Sequence, residues 1–151
     1  MNGWVMLASV VVVVCGVHGQ GDSLDCTPEE VAAAKSSVST GLQDLYLPLL
    51  DESSGNIRTV MTNENDVTQH IDCIIENKAC TKLGKSLQYF ITNQSGTDLC
   101  AGCQPCQRTR FQFILTELRC KYPAQANRIQ TFVTETRKID IYQYFSVDPT
   151  C

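Results

Sequence analysis

Nine cysteines in a chain of 151 residues constrain the fold more than any other feature. The number is odd, so one cysteine either stays over or does not belong to the mature protein. Cys15 stands apart from the rest. It lies in residues 4–17, WVMLASVVVVVCGV, an uncharged run shorter than the about 20 apolar residues that a membrane span takes. The run sits at the extreme amino terminus and ends in Val17-His18-Gly19, with small side chains three and one residues before a cut after Gly19. These features predict a signal peptide over 1–19, although no Lys or Arg stands near Met1. Cleavage removes Cys15 and leaves Cys26, Cys73, Cys80, Cys100, Cys103, Cys106, Cys120 and Cys151, an even set. In a secreted, extracellular chain eight cysteines imply up to four disulfides. The formal charge of −4 argues against a nucleic-acid binder, which needs a basic footprint.

Apolar periodicity predicts an all-α chain. Thr27-Pro28-Glu29-Glu30 reads as a capping box with proline at the first helical position. Val31, Ala34, Val38, Leu42, Leu45 and Leu49 follow at three- and four-residue steps, predicting one amphipathic helix over 28–49 that Pro48 ends or kinks. Residues 51–56 read as a polar loop and 57–61 as a short helical turn. Asn65 is placed to cap a helix carrying Val67, His70, Ile71, Ile74 and Ile75 on one face. Thr81 is placed to cap another, with Leu83, Leu87, Phe90 and Ile91. Residues 93–98 form a loop. A fourth pattern runs through Phe111, Ile114, Leu115, Leu118 and Tyr122 and is broken by Pro123. Ala126, Ile129, Phe132 and Val133 form a last one, and the tail from Ile139 shows no helical period. No segment alternates as a strand does, so the expectation is a compact assembly of about six short helices.

The spacing of four cysteines is C-x6-C-x19-C-x2-C, from Cys73 to Cys103, and each short pair flanks a helix junction. In a secreted helical chain this resembles the arthropod chemosensory protein family, the olfactory-segment-D-like proteins. The run Asp72 to Thr81, Gly84-Lys85 before Leu87, and Tyr122-Pro123 carry the likeness, which extends over about 57–133. The resemblance implies a helical fold around an apolar channel that carries fatty acids, long-chain alcohols, esters, pheromones or odorants, without turnover and without a cofactor. It also implies local disulfides, Cys73–Cys80 and Cys100–Cys103, each contributing about 2 to 2.5 kcal/mol in the chain-entropy treatment. The domain layout that follows is a signal peptide over 1–19, an additional helix and linker over 20–56, the family-like domain over 57–138 and a tail over 139–151.

Several residues depart from the family pattern. Ser54-Gly55-Asn56 stands near the place of its Tyr-Asp-Asn stretch, His70 replaces an aromatic residue three before the first family cysteine, and the tryptophan after Tyr-Pro is absent. Cys26, Cys106, Cys120 and Cys151 are additional and allow three pairings. Cys106 and Cys120 lie 14 residues apart on one predicted helix, about 21 Å, which no disulfide spans. Cys26 and Cys151 are therefore expected to take one each, in either order.

On the carrier reading, the lining candidates are Ile71, Ile74, Ile75, Leu87, Phe90, Ile91, Phe111, Ile114, Leu115, Leu118, Phe132 and Val133. His70, Tyr89 and Tyr122 are the candidates for a polar contact with the ligand. Cys100-x-x-Cys103-x-x-Cys106 has metal-like spacing, but secreted thiols are usually oxidised, which points to disulfides and no metal. His70 has no nucleophile motif near it, and no enzyme activity is expected. Asn93-Gln94-Ser95 is a glycosylation sequon. The partners expected are a small hydrophobic ligand and a receptor or other extracellular protein, with no stable membrane insertion after signal cleavage. Two rivals remain: a cystine-braced structural or signalling domain that acts through its surface, and a membrane-active protein of the saposin kind. The cysteine spacing does not fit saposins, and no helix has a strongly basic polar face.

Overall fold

In the computed structural model, residues 24–93 and 97–151 are described. The signal-peptide reading of 1–19 falls outside them. Helices account for the regular structure of the described residues: α1 Pro28–Ser37, α2 Gln43–Tyr46, α3 Pro48–Asp51, α4 Ser54–Val60, α5 Glu64–Glu76, α6 Lys82–Thr92, α7 Pro105–Lys121, α8 Pro123–Arg137 and α9 Ile141–Tyr144, with a 3-10 turn at Thr40–Leu42. The class is all-α, as the periodicity predicts.

The amino-terminal stretch is not one helix. The predicted capping box forms, with Thr27 Oγ1 accepting from Glu30 N and Glu30 Oε2 accepting from Thr27 N. The helix then stops at Ser37, because Val38-Ser39-Thr40-Gly41 is a run of poor helix formers. Leu42, counted on the apolar face, is left 40% exposed. Pro48 has no N–H to continue α2 and instead opens α3. Ser53 caps α4, so part of the predicted 51–56 loop is helical. Asn63 rather than Asn65 caps α5, accepting from Asn65 N and Asp66 N. The tail also folds: Asp140 caps α9, and Ile141, Tyr142, Phe145 and Val147 are buried.

The core lies between α5, α6, α7 and α8, with α2 and α3 laid over α6. Gly84 lets α6 approach α5, since a Cβ there would meet Cys73 Sγ at 3.1 Å. Four disulfides brace the assembly. Cys73–Cys80 ties the end of α5 to the start of α6, and Cys100–Cys103 closes a turn containing Gly102 at φ +74°. Cys26–Cys106 fastens the amino-terminal segment to α7, and Cys120–Cys151 fastens the tail to the same helix.

Among the described residues one charged side chain lies wholly inside. Arg110 of α7 is 2% exposed and donates to the carbonyls of Leu24, Leu49 and Leu50. Ser86 Oγ accepts from Leu49 N beside it. Tyr46 packs its ring edge-on to Phe90, centroids 5.0 Å apart, and donates to the Gly102 carbonyl. The segment before α4 is thus held by polar bonds as well as by apolar burial.

Candidate functional site

A narrow cavity lies where α4 to α8 converge. Each helix contributes one apolar face: Ile57 and Val60 from α4 with Met61 just after it, Val67, Ile71 and Ile74 from α5, and Leu83, Leu87 and Ile91 from α6. Phe111, Ile114, Leu115 and Leu118 come from α7 and Ile129 from α8. Among the described residues His70 is the one polar side chain on this wall. The space inside is about 40 Å³ for the centre of a water-sized sphere, enough for a small group but not for an extended chain. A longer guest needs aliphatic side chains such as Leu87 and Ile114 to change rotamer.

His70 is held from both sides. Its Nδ1 lies 2.7 Å from the Asp66 carbonyl, which only accepts, so Nδ1 carries the proton. Its Nε2 lies 3.1 Å from Thr81 Oγ1, and the hydroxyl donates to it in the neutral ring. The same oxygen accepts from Gly84 N and caps α6. The imidazole thereby links a turn of α5 to the start of α6.

Of the sequence candidates, Ile71, Ile74, Leu87, Ile91, Phe111, Ile114, Leu115, Leu118 and His70 stand on the cavity wall, and six do not. Phe90 shares the buried face of α6 but packs among Tyr46, Tyr89 and Phe111, off the wall itself. Tyr89 is half-buried against it. Val133 is buried in the core away from the wall. Ile75 and Phe132 border an outer groove with Arg128 and Glu135, because α5 and α8 each turn one flank of their apolar face outward. Tyr122 terminates α7 and donates to the Met61 carbonyl at 3.1 Å. Ile57, Val60, Met61, Val67, Leu83 and Ile129 complete the wall and are not among the sequence candidates. Their helical spacing was visible, but spacing does not rank positions along a face.

Elsewhere, Cys100 and Cys106 have separate disulfide partners, so the CxxCxxC sulfurs are not thiolate ligands. Glu30, beside Cys26 and Cys106, already accepts from Cys106 N and Thr27 N. Asn93 is exposed at the end of α6, and the rest of its sequon lies outside the described residues. No helix among the described residues is long and apolar enough to cross a membrane.

Neither the comparison with curated proteins nor that with solved structures yields a match. The sequence profile of the insect pheromone-binding family A10/OS-D matches residues 52–140, more than half of the chain, and takes in α4 to α8 with every residue of the cavity wall. Cys73–Cys80 and Cys100–Cys103 also fall within the match, and the segment fastened by Arg110 and Cys26 precedes it. On this basis the chain belongs to the insect pheromone-binding family A10/OS-D.

Proposed function

We propose that the protein is a secreted carrier that holds one small hydrophobic molecule between its helices and performs no reaction on it. The observation that carries this reading is the apolar cavity inside the family-matched region. Binding draws on apolar area removed from water, about 25 cal/mol per Å². The amino-terminal segment 1–19 and the even cysteine set after it support secretion, and Asn93 is then a candidate glycosylation site. The chemical class of ligand follows the family's description as pheromone-binding.

The small volume of the cavity favours one rival, a cystine-braced domain with a filled core that is recognised through its surface. An apolar fluorescent probe separates the two. A carrier binds about one equivalent and releases it to long-chain alcohols or esters. Failure of every such compound to displace the probe would sink the carrier reading.

A further inference from the structure

The polar groups nearest the cavity are already engaged within the protein. His70 donates to the Asp66 carbonyl and accepts from Thr81, so neither ring nitrogen is left for a guest. The Tyr122 hydroxyl donates to the Met61 carbonyl, and Tyr89 is not on the wall. The rest of the wall is apolar, aliphatic and aromatic side chains with the thioether of Met61. An ionised group buried against such a wall loses its hydration and gains no partner.

The surface on the other side of this wall is no better for an anion. Val60, His70 and Leu83 stand both on the cavity wall and on the wall of an outer groove. That groove carries the carboxylates of Glu52 and Asp66 against the single ammonium of Lys82, with Asn56, Gln69 and Thr81 between them. A carboxylate end group reaching past His70 therefore meets net negative charge, whereas an ester or hydroxyl end meets neutral hydrogen-bonding groups.

From this juxtaposition we infer that the cavity takes an uncharged, chain-like ligand and rejects long-chain carboxylates. The inference rests on the carrier reading and names its ligand class. A matched pair tests it: methyl tetradecanoate and tetradecanoate, each competing with an apolar fluorescent probe at pH 7. The ester is expected to displace the probe at a concentration at least about tenfold lower than the carboxylate. Leu87→Trp, which fills the cavity, is expected to abolish displacement by the ester; Ile74→Phe serves if the tryptophan variant does not fold. A carboxylate that competes as well as the ester overturns the inference and leaves the carrier reading standing. If neither compound competes, the inference falls, and the carrier reading falls with it once the other long-chain alcohols and esters also fail to displace the probe. An ester preference that survives in the folded, filled variant shows that the selectivity arises elsewhere and overturns its assignment to this cavity.

Discussion

The guanidinium of Arg110 donates to the Leu49 carbonyl at 2.6 Å, joining residues 61 positions apart inside the protein. The same side chain reaches Leu50 at 3.1 Å and Leu24 at 2.7 Å. One buried fork thus satisfies carbonyls from two stretches of the amino-terminal segment. Replacing it by an apolar residue strands acceptors that water cannot reach. Arg110→Met is expected to lower unfolding free energy by about 3 kcal/mol or more. Arg110→Lys should fall between, because an ammonium lacks the planar fork that meets several carbonyls at once. Urea denaturation measures both. A methionine variant as stable as the parent would show that these bonds contribute nothing net.

The four disulfides close loops of very different length, and the chain-entropy treatment ranks them. Cys26–Cys106 spans 80 residues, Cys120–Cys151 spans 31 and Cys73–Cys80 spans 7. Paired serine variants are expected to lose about 4.5, 3.7 and 2.4 kcal/mol in that order. The two larger losses belong to bridges that hold the segments flanking the family-matched region. Denaturation midpoints of the three double variants give the ranking directly. A reversed order would mean that native contacts, not loop closure, dominate.

How far the fold was legible depended on whether its cause was local. Thr27 and Thr81 announce their helices because a cap acts over three residues. Asn63 and Asn65 are both competent caps two positions apart, and only the extended backbone at Asn63 decides between them. Apolar spacing runs on through Val38 and Leu42, yet the Ser-Thr-Gly sequence between them breaks the helix. Ile141–Tyr144 is a single turn, too short to display a period, and burial in the core is what forms it. The cavity wall was partly legible for the same reason. Periodicity puts Leu87, Phe90 and Ile91 on one face of α6, but which of them meets the gap depends on Tyr46, a residue 44 positions before Phe90 that covers it. The partners of Cys26 and Cys151, and the carbonyls that meet Arg110, likewise arise only when distant segments pack.

Burial pushes the Tyr142 phenol up to about 12, with Asp140 adding to the effect and Arg119, whose guanidinium lies 4.2 Å from the ring centroid, opposing it. A phenol with a raised value in the folded protein favours folding while it stays protonated. That contribution is complete below the ordinary tyrosine value of about 10 and is lost as pH rises towards 12. Tyr142→Phe should therefore flatten the fall in stability between pH 9 and 11 while costing little at pH 7, where only the 3.4 Å bond to the Ala126 carbonyl goes. Urea midpoints at the three pH values test this; an unchanged alkaline slope removes Tyr142 as its source.

At the acid end the group to watch is Asp98. The Tyr144 hydroxyl donates to its carboxylate, the Cys100 N–H donates at 3.0 Å, and together they hold its titration below the usual aspartate range. A depressed carboxyl stabilises the fold above its unfolded value, about 3.9, and that share disappears as pH falls through the lowered one. Asp98→Asn and Tyr144→Phe are each expected to weaken the loss of stability between pH 4 and 2. Acid denaturation followed by circular dichroism compares them with the parent. Superimposable curves would show that the exposed pair does not couple to folding.

The cavity offers the last test, since its size can be changed in both directions without touching a polar group. Leu115 of α7 and Ile74 of α5 are nearly fully buried wall residues. Ile74→Ala enlarges the space and should cost about 2 to 4 kcal/mol in stability, with the lower end expected if the helices settle inward. If the closed cavity limits what the carrier admits, the same variant should bind an apolar probe more readily, because fewer side chains must move to admit it. Leu115→Trp should do the opposite and exclude the probe while the helical signal persists. The decisive quantity is the sign of the change in probe affinity against the change in stability. A carrier shows weaker folding with tighter binding in the alanine variant; a domain with a merely imperfect core shows weaker folding and no binding in either.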